Sequence, residues 1–346
     1  MKIGIIGTGK IVHEALFAVQ PVRDFELSAI FARPHSREKG EALAAEHHIQ
    51  QVYTDYGELL EKSGVEAVYI GLANSAHFAY AKEALLAGVN VILEKPFTST
   101  VAEAEELAAI AREKNLFCLE AITPLHSSSF QKLQAVLPRL GQIKLAQFNY
   151  SQYSSRYDKY LAGEVAPAFD PEASGGALYD INLYNIYISI GLFGEPEDVR
   201  YFPNLGFNGI DTSGIAVLSY PGFQVCCLGA KDSDSPCQVL IQGEKGYLRQ
   251  LGKPNVPEGA EWEVVDEAKG IAPNAAGGMS RAMEKGAFEA EPQHHRMTQE
   301  FCDFAAIIGQ HDQKRGEECL AWSLAVMRTL EKARKGAGIV FAADKI

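Results

Sequence analysis

The sequence predicts an α/β protein with an N-terminal Rossmann domain over residues 1–121. An α+β domain with an open, predominantly antiparallel sheet is expected over residues 122–346. Three observations carry this expectation. Short apolar runs alternate with amphipathic segments through the first third of the chain, and a glycine-rich turn follows the first run at once. Past about Ala121 the strand candidates crowd together, with Gly and Pro turns between them. With 346 residues, 47% of them hydrophobic, the chain is long enough for two cores.

In the first part the strand candidates are Lys2–Gly7, Glu26–Ala32, Ala67–Leu72, Val89–Leu93 and Leu116–Glu120. The segments Lys10–Gln20, Ser36–His48, Ala76–Ala87 and Val101–Lys114 carry Ala, Leu and Ile at helical spacing. Continuous apolar strands separated by helices imply a parallel sheet covered on both faces. Gly88 suits the position after a helix end, and Ser99 or Thr100 suits a helix start. In the second part, a helix at Phe130–Leu137 leads into a long strand at Ile143–Tyr153. A helix opens behind Gly175-Gly176, and strands follow at Ile215–Tyr220, Gln224–Leu228, Val239–Gln242 and Tyr247–Leu251. Helices at Pro292–Ile308 and Glu317–Lys335 end the chain, and Gly270–Gly286 reads as a mobile loop.

The formal net charge of -12, with no basic tract to offset it, argues against nucleic acid and anionic membrane surfaces as partners and favours small molecules. The six cysteines contain no C-x-x-C pair, so reduced thiols and no metal site are expected. The apolar start after Met1 is too short for a signal segment, and no run approaches the roughly 20 residues of a membrane span. The expected location is the cytoplasm.

Gly4-Ile5-Ile6-Gly7-Thr8-Gly9-Lys10-Ile11-Val12 joins the first strand to the first helix. Gly7 allows a tight turn, and Gly9 lets the backbone of Thr8, Gly9, Lys10 and Ile11 approach a pyrophosphate at the helix N-terminus. Val12 replaces the third glycine of G-x-G-x-x-G, so helix and strand are expected to pack slightly further apart. The same residues resemble a P-loop, but Ile11 lacks the hydroxyl that ligates magnesium. A dinucleotide site for NAD usually has an acid after the second strand to bond the ribose 2′-hydroxyl. Here that place holds Arg33, with Ser36 and Arg37 beyond it. Such donors suit a 2′-phosphate, so NADP is expected, with NAD as the alternative if these arginines only solvate a helix entry.

The strand Val89–Leu93 runs into Glu94-Lys95-Pro96. Ligands of open parallel sheets bind beyond the carboxyl ends of the strands, which places Lys95 by a nicotinamide. Oxidising CH–OH removes a proton from oxygen as hydride leaves carbon, so a base must lie within hydrogen-bond reach. Lys95, destabilised as a cation by partial burial and the nicotinamide charge, is the candidate, either alone or through a neighbour whose pKa it lowers. In Ser174-Gly175-Gly176-Ala177-Leu178-Tyr179-Asp180-Ile181-Asn182-Leu183-Tyr184, Asp180 and Tyr184 lie four apart on one helical face. Tyr184 is that neighbour, or an amphipathic tyrosine at a core edge.

Together these segments resemble the Gfo/Idh/MocA oxidoreductases over essentially the whole chain. Beyond the turn and Glu94-Lys95-Pro96, the resemblance rests on Ala73-Asn74-Ser75-Ala76-His77, Gly175–Asp180 and the closing helices. It implies Lys95 as the catalytic lysine, with Asp180 and Tyr184 beside it. It also implies Ala73, Asn74, His77, Glu94 and Lys95 near the cofactor, although His77 equally suits a helix cap. Asn182 stands where the family has glycine, and Tyr184 where inositol dehydrogenases have histidine. That tyrosine, with Ala32-Arg33, is similar to the dihydrodiol and aldose dehydrogenase branch, which supports NADP and argues against inositol. Sugars, polyols or related compounds are the implied substrates, and the second sheet is the implied surface for a homodimer or homotetramer. A cofactor-sensing regulatory protein without chemistry is the competing reading.

Overall fold

The computed structural model of the chain describes residues 1–273 and 276–345. The first part is β1 (Lys2–Ile6), α1 (Lys10–Val19), β2 (Glu26–Phe31), α2 (Arg37–Glu46), β3 (Gln51–Tyr53), α3 (Tyr56–Lys62) and β4 (Ala67–Ile70), then α4 (His77–Leu86), β5 (Asn90–Glu94), α5 (Val101–Lys114) and β6 (Cys118–Ala121). The strands form a six-stranded sheet in the order β3-β2-β1-β4-β5-β6, parallel throughout. This is the doubly wound dinucleotide-binding order, which reverses direction beside β1. β3 and α3 were not read from the sequence. Their three and seven residues are too short to show a period.

The chain crosses through α6 (Thr123–His126) and α7 (Ser128–Val136) into β7 (Ile143–Ser151), α8 (Tyr157–Leu161) and α9 (Leu183–Phe193). The strands β8 (Asp198–Leu205), β9 (Asp211–Tyr220), β10 (Phe223–Ala230), β11 (Gln238–Gly243), β12 (Gly246–Lys253) and β13 (Val256–Val265) follow. Then come β14 (Ile271–Pro273), β15 (Met279–Arg281), β16 (Met283–Glu289), α10 (Thr298–Gly309) and α11 (Gln313–Gly336). The second sheet has eight strands in the order β16-β13-β12-β11-β7-β10-β9-β8. Its pairs are antiparallel except β7 with β10. The expectation of a loop over Gly270–Gly286 is corrected, because β14, β15 and most of β16 occupy its described residues; Asn274 and Ala275 lie outside them.

Two features place the site. Val12 is fully buried, and a Cβ on Gly71 would lie 2.8 Å from its Cγ2. The room that the glycine turn lacks is therefore supplied by the residue after β4, and α1 does not have to stand off from the sheet for Val12. The closing helices return to the first part of the chain. Phe301, Phe304 and Ile307 of α10 pack with Ile3, Ile5 and Leu16, and α11 lies against α5, β6, α9 and β8. α10 starts at Thr298, later than its apolar spacing suggests, and this leaves Arg296 outside the helix to bond Glu14 of α1 at 2.7 Å.

Candidate active site

The carboxyl ends of β1, β2, β4 and β5 open onto a cleft of about 590 Å³. Its floor is Gly7, Thr8, Gly9, Lys10 and Ile11. Gly7 has φ +121°, and a Cβ there would meet the Gly71 carbonyl at 2.7 Å, so both conformation and space require glycine. Gly9 differs, because a Cβ on it would meet nothing within 4 Å. The protein itself leaves that space free, directly before a helix whose N-terminus no side chain caps. Uncapped N–H groups with the positive end of the helix dipole suit a phosphate. These residues fit a dinucleotide.

Phe31, Arg33, His35, Ser36 and Lys39 line the next stretch of the cleft. Arg33 and Lys39 form no ion pair among the described residues, and no carboxylate stands between β2 and α2. Arg37 is placed differently from expectation. It does not line the cleft, and its Nε donates to Glu41 Oε1 at 2.8 Å along the exposed face of α2. Lys39 takes its place because residues 36 and 39, three apart, share a helical face that 37 leaves.

Ala73, Asn74, Glu94 and Lys95 line the far end. Asn74 Nδ2 donates to the Ser174 carbonyl at 2.9 Å, joining the two parts of the chain. Glu94 is buried and accepts from the Tyr69 hydroxyl at 2.7 Å; burial raises its pKa. His77 is not in the cleft. It is fully buried, with Nδ1 2.8 Å from the Pro96 carbonyl and Nε2 3.2 Å from that of Leu72. Burial lowers its pKa to about 4, so the ring is neutral and carries one N–H, which the shorter contact assigns to Nδ1. It ties the exit of β5 to the exit of β4.

Lys95 Nζ donates to Asp180 Oδ1 and to the Asp180 carbonyl, each at 2.9 Å. It also stands 5.2 Å from the ring centroid of Tyr184. Asp180 sits in a π-helical turn, Leu178–Asn182, that opens α9. Its other oxygen pairs with the buried Lys231 at 2.7 Å. Burial works against the Asp180 carboxylate, but the two ammonium groups outweigh it and hold its pKa well below the usual range. Burial likewise opposes charge on Lys95, yet Asp180 and Tyr184 raise its pKa overall. The expectation of a lysine destabilised as a cation is thus corrected: desolvation is present, but the carboxylate 2.9 Å away overcomes it. Burial raises the Tyr184 pKa despite Lys95 and Arg296 nearby, so the phenol stays protonated near neutrality. Lys231 was missed by sequence reasoning, since a lone lysine after a strand carries no local signal. Arg156, which reaches the cleft from the second part of the chain, was missed for the same reason.

Residues 1–121 match the profile described as oxidoreductase family, NAD-binding Rossmann fold, and residues 130–249 match the GFO/IDH/MocA C-terminal domain. The chain belongs to the GFO/IDH/MocA oxidoreductase family. As a member it is an NAD(P)-dependent enzyme. A scyllo-inositol 2-dehydrogenase (NADP(+)), IolU, of Bacillus subtilis is 32% identical over 100% of this chain and 99% of its own. Human trans-1,2-dihydrobenzene-1,2-diol dehydrogenase is 32% identical over 72% of this chain and 74% of its own. Among solved structures, the 3-ketoreductase KijD10 of Actinomadura kijaniata, with NADP and TDP-benzene, superposes with TM-score 0.79 at 21% identity, covering 97% of both chains. An inositol dehydrogenase homologue of Azotobacter vinelandii, with NADH and myo-inositol, gives TM-score 0.80 at 16% identity over 98% of this chain and 95% of its own. These two share the GFO/IDH/MocA fold.

Proposed function

We propose that this enzyme transfers a hydride between NADP and a CH–OH or carbonyl group on a small ring bearing neighbouring hydroxyls, with Lys95 as the proton-transfer group. One observation carries the reading: a cleft-lining ammonium is held by Asp180, whose other oxygen pairs with Lys231, and is covered by the Tyr184 ring. The named relatives support the substrate class, since inositol and dihydrobenzenediol are both rings with adjacent hydroxyls. The nicotinamide ring supplies or accepts the hydride. Lys95, as a cation, polarises a carbonyl oxygen and gives it a proton during reduction; in oxidation the neutral amine takes the hydroxyl proton. Tyr184, a neutral phenol that is buried outside the cleft lining, takes part through Lys95, whose ammonium its ring covers. Asp180 cannot serve as a base, because two ammonium groups hold it ionised, so its part is to aim Lys95. Arg33, Lys39 and Ser36 pair with the 2′-phosphate. Self-association through the open face of the second sheet completes the proposal. Turnover of inositols, cyclic trans-diols and aldoses, followed by nicotinamide absorbance with NADP and with NAD, tests it. Reduction of NADP by ring diols is the expected result, and bound cofactor without turnover of any of them in either direction would overturn it.

A further inference from the structure

Glu120 is a buried acid that the reaction does not use. It lies on β6, opposite Leu93 of β5, two residues before Lys95, and is 3% exposed. The Tyr187 hydroxyl donates to its Oε2 and lies 3.2 Å from Ser323 Oγ, and the Phe97 N–H and the Ser323 hydroxyl stand near enough to favour its charged form. Phe97 follows Lys95 by two residues in the turn after β5, Tyr187 stands one helical turn beyond Tyr184 on α9, and Ser323 belongs to α11. One side chain therefore joins both arms of the site. An ionised carboxylate has about four lone-pair positions, so it can accept from Tyr187 and still face the Phe97 N–H and the Ser323 hydroxyl. An acid whose only task was to fill this space would be an unfavourable choice, since taking a carboxylate out of water is opposed unless donors meet it.

We propose that Glu120 is a positioning residue, holding the Lys95 turn and the helix of Asp180 and Tyr184 in the register that proton transfer needs. It rests on the reading of Lys95 as the proton-transfer group. Neither Glu120 nor Tyr187 lines the cleft, and Tyr187 is fully buried, so both act through the residues they hold. Misplacement by about 1 Å can cost on the order of a hundredfold in rate. Burial lifts the Glu120 carboxyl to about 7, with Glu94 on β5 adding to the rise; Cys118 on its own strand, Tyr187 on α9 and, beside Tyr187, Cys319 on α11 are the other ionisable groups facing this cluster. A proton on Glu120 removes an acceptor from the cluster, so turnover falls on the acid side of neutrality.

The test compares Tyr187→Phe, Glu120→Gln, Glu120→Leu and the double variant Glu120→Leu/Tyr187→Phe, each as the full chain. In Tyr187→Phe and Glu120→Leu, kcat should drop about ten- to a hundredfold while the cofactor Kd stays within about twofold. Glu120→Gln keeps an acceptor oxygen and should recover most of kcat, without the acid limb near neutral pH. The double variant should be no worse than the worse single variant. Wild-type kcat in Tyr187→Phe would overturn the proposal, and so would Glu120→Gln as impaired as Glu120→Leu, or kcat and Kd worsening together. If Glu120→Leu does not fold, the other two single variants decide alone. Failure of the parent reading is a separate result: Lys95→Met would then keep its turnover whatever Tyr187→Phe does.

Discussion

Asp180 accepts from Lys95 on one oxygen and from Lys231 on the other, an alternating line of charges that fixes the protonation state of each member. Because the Lys95 pKa is raised, Lys95 is protonated throughout the neutral range. Reduction needs that proton, so above the Glu120 limb its rate should stay flat, from about pH 8 to about pH 10. Oxidation needs the neutral amine, so its rate should climb with pH over the same interval. Initial rates in both directions check this, and a bell shared by both would contradict it. Lys95→Met should lower turnover by roughly two to four powers of ten with little change in cofactor affinity, measured by fluorescence titration. At the adenosine end the charges are exposed and act in water. Each charge-assisted bond is worth roughly 1.5–3 kcal/mol before desolvation, so NADP should bind about ten- to a hundredfold tighter than NAD. Arg33→Ala and Lys39→Ala should each weaken NADP alone, and salt should narrow the gap. Arg37→Ala should change neither, since its guanidinium is turned to Glu41.

The loops that carry the site are held by short elements and single side chains. α5 begins with a reciprocal capping box, in which Thr100 Oγ1 accepts from the Glu103 N–H at 3.3 Å and the Glu103 carboxylate accepts from the Thr100 N–H at 3.1 Å. His77 does the same work between the exits of β4 and β5. Its folded pKa of about 4 lies below the ordinary value of 6.5, so between these values the unfolded chain binds the extra proton. The stability it contributes is present above about 6.5 and is lost as pH falls toward about 4, to a limit on the order of 3 kcal/mol. Melting temperatures of the protein and of His77→Gln, taken between pH 7 and pH 4.5, should show a shallower acid decline in the variant. Parallel curves would remove His77 from the acid transition.

At the scale of the whole molecule, the second sheet turns one face to α9 and leaves the other open. On the open side Phe202 and Ile215 are paired in register, 60% and 40% exposed, and Leu145 is also exposed. Contiguous exposed apolar surface on a sheet marks an association site. Self-association should therefore appear in light scattering at micromolar concentration, and Phe202→Glu with Ile215→Glu should return it to monomer without changing the Lys95 environment. A monomeric wild-type protein would refute this use of the face. Among the described residues no helix is long and apolar enough to cross a membrane.

Periodicity determined the first sheet. Buried parallel strands are continuous apolar runs, and Lys2–Gly7, Glu26–Ala32 and Val89–Leu93 show this without help from the rest of the chain. Gly7, Gly9, Glu94 and Lys95 were legible as cleft positions because each occupies a fixed offset from such a run, and Asp180 was read from its spacing to Tyr184 behind the Gly175-Gly176 turn. β8 and β13 were not, since Pro203 and the Pro257 and Gly259 pair break their pattern, and only pairing with β9 and β12 makes them strands. Tertiary structure alone decided that Gly71 makes room for Val12, that Lys39 rather than Arg37 faces the cleft, that Lys231 pairs with Asp180 and that Tyr187 bonds Glu120. It also set the charge on Lys95. A pKa depends on every group within a few ångströms, and Asp180 is 85 residues away in sequence but 2.9 Å away in space.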